Sequence, residues 1–211
     1  MKVKAILFDM DGVLIDAKEW HYESLNKALG LFGLEISRYD HLVTFDGLPT
    51  RDKLNMISNE TYFPKGLHKF VNELKQLYTM EVIYTLCKPK FYHRYALSRL
   101  KAEGYELAVC SNSVRNSIEV MMEKAALKEY LSFIISNEDV THGKPNPEMY
   151  IKAINTLGIL PSECLIIEDN ENGLKAAYAS GAHVLKVDKV QDVNYFNIKN
   201  KIKAIEETCL K

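Results

Sequence analysis

Two aspartates, Asp9 and Asp11, follow a short apolar segment near the start of the chain, in the stretch ILFDMDGVLID. If that segment is a strand and continues, both side chains point to the same side, because strand residues alternate faces with a period of two. Neighbouring carboxylates repel each other, and burying either one is costly unless positive charge lies close by. The pair therefore raises the question of which positive charge stabilises it.

Three further polar segments accompany predicted strands. Ser111 and Asn112 follow the strand YELAVC, Glu168 and Asp169 follow the strand CLII, and Lys144 lies in the loop GKPNPE before a helix. In parallel α/β sheets ligands bind outside the carboxyl ends of the strands, so we expect these side chains at one edge. Several carboxylates together favour a divalent cation such as Mg²⁺, which prefers oxygen ligands. A lysine and a hydroxyl beside it suit the oxygens of a phosphate group.

This combination of side chains predicts a specific chemistry. A carboxylate can attack phosphorus and form an aspartyl-phosphate. A second carboxylate nearby can protonate the leaving alkoxide and later activate a water molecule. The sequence therefore predicts Mg²⁺-assisted phosphoryl transfer through an aspartyl-phosphate intermediate.

The elements that must position these residues differ between the two halves of the chain. Residues 16 to about 85 have apolar residues at helical spacing throughout, and Asp16 with Glu19 predicts a capped start for the first helix. In the second half, strands alternate with helices, which indicates a parallel sheet covered on both faces, and Ser113 is expected to cap one of those helices. The predicted strands are Lys4–Phe8, Tyr105–Cys110, Phe133–Ser136, Cys164–Ile167 and His183–Val187.

Composition excludes several classes of protein. The chain has 211 residues and a net charge of −1, which does not suggest nucleic-acid binding or association with a membrane surface. We find no apolar run of transmembrane length, and the segment before Asp9 is too short for a signal peptide. The cysteines are far apart without a Cys-x-x-Cys pair, so we expect reduced thiols in a cytoplasmic protein and no zinc site. They are Cys87, Cys110, Cys164 and Cys209.

Four segments resemble, in order and across nearly the whole chain, the motifs of the haloacid dehalogenase (HAD) superfamily, in its subfamily of small phosphatases. They are DMDGVLID, VCSNS, GKPNPEMY and IIEDNENGLKAAYASGAHVLKV. The resemblance implies an α/β fold with a Rossmann-like parallel sheet core and an inserted all-helical cap domain. The core would comprise residues 1–15 and 88–211, and the cap residues 16–87.

The resemblance also implies roles for the catalytic residues. Asp9 would be the nucleophile and a metal ligand. Asp11 would be the general acid and base, with its backbone carbonyl on the metal. Ser111 and Asn112 would bind the transferring phosphoryl group, and Lys144 would neutralise its charge and orient the nucleophile.

The remaining implied residues belong to the metal and to the substrate. Asp169, with Glu168, would complete the Mg²⁺ site. His21 and Arg51 lie at places comparable to a cap histidine and arginine of β-phosphoglucomutases, and we predict that they contact the substrate.

Three functions remain open at this point. The first is a Mg²⁺-dependent phosphatase that hydrolyses a small phosphate monoester, such as a sugar phosphate or a similar metabolite. The second is a phosphosugar mutase of the β-phosphoglucomutase type, which is weakened by Ala17 because family members often have a threonine, with its hydroxyl, at that position. The third is a non-catalytic binding protein on the same fold, which the intact set of acidic residues and Lys144 argues against. The oligomeric state is not predicted.

Overall fold

A computed structural model describes residues 2–45 and 47–208 of the chain, so that Cys209 lies outside the described residues. The chain divides into two units, one comprising Met1–Asp16 with Lys88–Lys211 and the other Ala17–Cys87. We call the first the sheet unit and the second the helical unit. The helical unit is inserted between β1 and the rest of the sheet unit, where β1 is the strand Ala5–Phe8.

The sheet unit contains a parallel, five-stranded sheet in the order β3-β2-β1-β4-β5. After β1 the strands are β2 (Glu106–Cys110), β3 (Phe133–Ile135), β4 (Cys164–Glu168) and β5 (His183–Lys186). The first strand is therefore central, between β2 and β4. Phe8 is in register with Val109 on one side and with Ile167 on the other. The residues that follow these positions emerge side by side at one edge of the sheet.

Helices account for most of the remaining residues. The helical unit contains α1 (Lys18–Gly30), α2 (Arg38–Val43), α3 (Thr50–Thr61) and α4 (His68–Leu86). The sheet unit contains α5 (Phe91–Ala102), α6 (Arg115–Lys124), α7 (Glu148–Leu157), α8 (Glu171–Ala179) and α9 (Tyr195–Thr208). Short 3₁₀ helices occur at Lys65–Leu67, Lys128–Tyr130, Asn137–Asp139, Pro161–Glu163 and Val190–Asp192.

The core of the sheet unit explains why its strands are continuously apolar. Alternate residues of β1, β2 and β4 pack with α7 and α8, which bury Tyr150 and Leu174 against them. The intervening residues, among them Ile6, Leu107 and Leu165, are equally inaccessible to solvent. Because both faces of the sheet are covered, an apolar side chain is favoured at every strand position.

The helical unit has a core of its own, built where α1 packs along α4 and the shorter helices close around them. Leu25, Leu29 and Val71 belong to this core. The buried side of α4 also carries two polar residues, Lys75 and Thr79. The apolar stripe that the sequence suggested on this helix is therefore interrupted.

The predicted fold class is confirmed, although several element boundaries differ. The expectation that Asp16 caps the first helix was wrong, because α1 begins at Lys18 and its N-cap residue is Ala17. Ser113 does not cap α6, whose N-cap residue is Val114. In both cases the polar side chain lies one residue too early to reach the free N–H groups of the first turn.

Within residues 2–45 and 47–208, no helix combines the length and the apolar character needed to cross a membrane.

Candidate active site

The carboxyl edge of β1, β2 and β4 brings the predicted residues together. Asp9 comes directly after β1, Ser111 directly after β2, and Glu168 is the last residue of β4. Since Phe8 pairs with Ile167, the next residues, Asp9 and Glu168, lie alongside each other. The backbone N–H of Asp9 donates to the carbonyl of Ile167 at 3.0 Å, which extends the ladder to the aspartate.

Lys144 lies between two buried carboxylates. Its Nζ donates to Asp9 Oδ1 at 2.5 Å and to Glu168 Oε1 at 2.6 Å. All three side chains are buried, and the lysine is only 3% exposed. Burial alone would lower the pKa of Lys144, but its contacts with Asp9 and Glu168 raise the pKa above its ordinary value. The lysine is therefore charged and fixes the direction of the Asp9 carboxylate.

The second carboxylate oxygen of Asp9, Oδ2, is buried and has no hydrogen-bond partner among the described residues. Oxygens of Asp9, Glu168 and Asp169 lie within 4.8 Å of one another. Burial raises the pKa of the Asp9 carboxyl well above its ordinary value; Lys144 lowers this pKa, whereas Glu168, Asp169 and Asp11 raise it. One lysine does not balance this many carboxylates, and a cation held by the group would favour the ionised Asp9.

Asp11 lies on a tight turn that follows the first strand. Gly12 adopts φ 89°, a left-handed conformation that glycine tolerates, and its N–H donates to the carbonyl of Ile15 at 2.7 Å. Oδ2 of Asp11 accepts a hydrogen bond from Ser113 Oγ at 3.0 Å. The turn therefore directs Asp11 to the segment that follows β2.

The segment after β2 carries the two residues predicted to bind a phosphoryl group. Ser111 is buried, and its Oγ accepts a hydrogen bond from the N–H of Ser113 at 3.1 Å. Asn112 extends to the loop before α7, where its side chain contacts both backbone groups of Lys144. Ser111 and Asp11 thus share Ser113 as a hydrogen-bonding partner, whereas Asn112 is bonded to the backbone of Lys144.

Glu168 is held from three directions. Besides Lys144, Oε1 accepts a hydrogen bond from the hydroxyl of Tyr150 at 2.6 Å, and Oε2 accepts one from the N–H of Asp169 at 3.1 Å. A Cβ atom on Gly173 would lie 2.0 Å from Oε1, so the carboxylate rests directly on the first turn of α8. Asn170 caps that turn by accepting from the N–H of Gly173 at 2.9 Å.

His21 and Arg51, the predicted substrate residues, lie in the helical unit and are bound to different neighbours. His21 Nδ1 lies 3.2 Å from Nζ of Lys75, a buried lysine of α4. Nε of Arg51 donates to Asp52 at 3.3 Å, and the Arg51 side chain is largely exposed. The structure does not join these two residues in one hydrogen-bonded group, and their role in substrate binding stays a prediction.

Sequence reasoning missed three residues that complete the site. Ser113 contacts Asp11, Tyr150 contacts Glu168, and Gly173 leaves the space that Glu168 occupies. Tyr150 and Gly173 stand inside the motif segments GKPNPEMY and NENGLKAA, so their proximity in sequence was the available signal. Their partners are on other elements, and that information comes only from the packing of α7 and α8.

Comparison with known proteins agrees with this geometry. The model of the family described as haloacid dehalogenase-like hydrolase matches residues 6–187. The chain belongs to this family. The expectation of an enzyme, a hydrolase of the HAD superfamily, is thereby confirmed.

Relatives within the HAD family have several names. The chain is 26% identical over 182 residues to a phosphorylated carbohydrates phosphatase of Thermotoga maritima, covering 85% of this chain and 82% of that protein. It is 25% identical over 193 residues to pyrophosphatase PpaX of Bacillus cereus, covering 89% and 84%. The crystal structure of a β-phosphoglucomutase of Clostridium difficile superimposes with a TM-score of 0.84 at 21% identity, covering 99% of this chain and 100% of that one.

Proposed function

We propose that the protein is a Mg²⁺-dependent phosphatase that hydrolyses a small phosphate monoester through an aspartyl-phosphate on Asp9. The observation that carries the proposal is the environment of the Asp9 carboxylate, namely its burial and the partners of its two oxygens. One oxygen is fixed by Lys144, and the other is buried and has no hydrogen-bond partner among the described residues. The carboxylate also belongs to a group of three acidic side chains. A buried carboxylate in that arrangement suits a nucleophile that works beside a cation.

The donor set fits a hard divalent cation. Asp9, Glu168 and Asp169 offer carboxylate oxygens within 4.8 Å of one another, and the resemblance adds the backbone carbonyl of Asp11. No histidine or cysteine belongs to this group as the structure describes it, and an all-oxygen set favours Mg²⁺. When bound, Mg²⁺ would neutralise charge on the phosphoryl oxygens.

The chain's own residues supply the remaining steps. The Asp9 carboxylate attacks phosphorus, the bond from phosphorus to the ester oxygen breaks, and Asp11 gives a proton to the departing alkoxide. Asp11 then takes a proton from water, whose oxygen attacks the aspartyl-phosphate, and phosphate leaves with Asp9 restored. Lys144 and Ser111 bind the phosphoryl oxygens and so stabilise the charge that develops in both steps.

We infer that the substrate is a small phosphorylated metabolite, and a sugar phosphate fits best. Two observations support this class: the relative named as a phosphatase of phosphorylated carbohydrates, and a site in which one lysine and one hydroxyl can receive a single phosphoryl group. His21 and Arg51 of the helical unit are our candidates for contacts to the part of the substrate that leaves.

The test is release of phosphate from a panel of phosphorylated metabolites and an aryl phosphate, with Mg²⁺ and with EDTA. The Asp9→Asn variant is the catalytic control. We expect Mg²⁺-dependent release by the wild type and none above background by the variant. Isomerisation of a hexose 1-phosphate in the presence of its bisphosphate, without free phosphate, would replace this proposal by a phosphosugar mutase. Absence of Mg²⁺-dependent turnover on the whole panel would favour a non-catalytic protein.

A further inference from the structure

The side chain of Asn112 forms hydrogen bonds with both backbone groups of one residue, Lys144. The Lys144 N–H donates to Asn112 Oδ1 at 2.9 Å, and Asn112 Nδ2 donates to the Lys144 carbonyl at 3.1 Å. The two residues are 32 positions apart, so these bonds join the end of β2 to the loop before α7. We call this pair of hydrogen bonds the amide clamp.

The Asn112 side chain occupies the space that a side chain on the neighbouring residue, Gly143, would need. A Cβ atom on Gly143 would lie 2.5 Å from Asn112 Oδ1, and the three nearest atoms outside its chain neighbours all belong to the Asn112 side chain. Gly143 does not adopt the left-handed backbone that would itself disfavour a side chain. A side chain at position 143 would therefore have to displace the Asn112 amide, although the backbone at this position does not itself disfavour one.

We propose that Asn112 is a positioning residue that acts through Lys144, and that its side chain does not bind the phosphoryl group directly. This inference rests on the proposed phosphatase function. A lysine side chain has many rotamers, and the Lys144 ammonium must lie 2.5 Å from Asp9 and 2.6 Å from Glu168. Fixing both backbone groups of Lys144 sets the point from which its side chain reaches the two carboxylates.

The two roles of Asn112 predict different kinetics. If the side chain bound phosphate in the ground state and the transition state alike, Asn112→Ala would chiefly raise KM. If it positions Lys144, the variant lowers kcat, because the ammonium is then less well aligned in the transition state. Loss of two hydrogen bonds corresponds to a fall of roughly 10-fold to 100-fold in kcat.

Gly143→Ala provides an independent test of the clamp. In the wild-type background the new methyl group collides with Asn112 Oδ1 and displaces the amide, so kcat falls as in Asn112→Ala. In the Asn112→Ala background there is no collision, and adding Gly143→Ala has little further effect. Such non-additivity is expected for residues that are in contact or coupled in one network, and not for distant, independent sites.

The experiment combines this double-mutant cycle with hydrogen exchange of the Lys144 backbone amide, followed by NMR. Asn155→Ala is the matched control, because it is the same substitution at an exposed asparagine on α7. We expect faster exchange of the Lys144 amide in Asn112→Ala and Gly143→Ala and unchanged exchange in the control. Asn112→Ser, a smaller perturbation, replaces Asn112→Ala if circular dichroism shows that the alanine variant is unfolded.

The outcomes separate this inference from the proposed function. A wild type without phosphatase activity on any substrate overturns the proposed function, and hydrogen exchange then decides the clamp by itself. If the Lys144 amide of the Asn112→Ala variant exchanges at the same rate as in the wild type, the amide clamp is wrong. A raised KM with unchanged kcat, or equal damage by Gly143→Ala in both backgrounds, overturns the positioning role in an active enzyme.

Discussion

Lys144 is the only cationic side chain that the described site places between its buried acids. Its contacts distinguish Asp9 from Asp11, although the two aspartates are only two residues apart. It contacts Asp9 and Glu168 directly, at 2.5 Å and 2.6 Å. Asp11 instead bonds to Ser113, a neutral hydroxyl. The two aspartates of one short segment therefore have different surroundings, which suits a nucleophile and a proton carrier.

This division of roles leads to a prediction for Asp11→Asn. We expect kcat to fall by roughly 10²-fold to 10⁴-fold, the usual contribution of a general acid and base. The affinity for Mg²⁺, measured by calorimetric titration, should change much less, because the contact implied for this residue is its backbone carbonyl.

Asp188→Asn is the matched control, since Asp188 is an exposed acid of the same unit, just after β5. It should leave both kcat and Mg²⁺ affinity unchanged. If Asp11→Asn weakened Mg²⁺ binding as much as it lowered turnover, the assignment of separate roles to Asp9 and Asp11 would be wrong.

Residue types and spacing were enough to predict that the charged side chains of the candidate site lie close together. Asp9, Lys144 and Asp169 stand beside predicted strand ends or a helix start, and those positions converge in a parallel sheet. The uncharged partners could not be predicted in the same way. The bond from Tyr150 to Glu168 depends on how α7 is rotated against β4, which apolar periodicity does not specify.

At the scale of elements, the strands were predictable because both faces of the sheet are buried and each strand is an uninterrupted apolar run. The helix boundaries were less predictable. Asp16 and Ser113 are good N-cap residues by type, but the helices α1 and α6 begin later, at Lys18 and Arg115. Helix α9 was not predicted. The burial of Lys75 on α4 was not predicted either, because the surrounding apolar residues at helical spacing indicated a purely apolar face.

The first turn of α8 gives a prediction at this scale. Gly173→Ala places a methyl group 2.0 Å from Glu168 Oε1, so either the carboxylate or the helix must move. We expect a loss of about 1–3 kcal/mol in the free energy of unfolding, as for other overpacked sites. A lower kcat should accompany it, because Glu168 also contacts Lys144. Chemical unfolding and steady-state kinetics measure the two effects.

Gly30→Ala is the control for Gly173→Ala. Gly30 ends α1, and a Cβ atom there would meet no neighbour within 4 Å. Alanine at this helical position should be neutral or stabilising by up to about 1 kcal/mol. Unchanged stability and kcat in Gly173→Ala would show that Glu168 does not rest on α8 as described.

At the scale of the whole molecule, the acidic group and Lys144 belong to the sheet unit, and the predicted substrate residues to the helical unit. The stability of the sheet unit therefore governs the catalytic geometry. The sheet unit also contains a buried histidine, His93 on α5, which is remote in sequence from the site residues. Its Nε2 lies 2.8 Å from the carbonyl oxygen of Val190. Burial lowers the pKa of His93 to about 4, although that hydrogen bond raises it.

This pKa predicts how stability depends on pH. In the unfolded chain the histidine has a pKa near 6.5, so below that pH the unfolded state takes up the proton first. Stability should be lost as the pH falls from about 6.5 to about 4, by up to about 3 kcal/mol from this residue. Urea unfolding followed by circular dichroism, at neutral pH and near pH 5, measures the loss.

His93→Gln should lose less stability than the wild type over the same pH interval, because glutamine does not titrate. His142→Gln is the control, since the side chain of His142 is 68% exposed. Equal pH dependence in the wild type and in His93→Gln would contradict the assignment of a buried neutral histidine.

The central claim is that Asp9 carries the phosphoryl group during turnover, and trapping the phosphoenzyme tests it most directly. The wild type is mixed with an aryl phosphate and Mg²⁺, quenched in acid, and digested for mass spectrometry. We predict one added phosphoryl group on the peptide that contains Asp9, at the aspartate itself, and none in Asp9→Asn. Turnover by the wild type with the phosphoryl group on another residue, or a phosphorylated Asp9→Asn variant, would contradict the account.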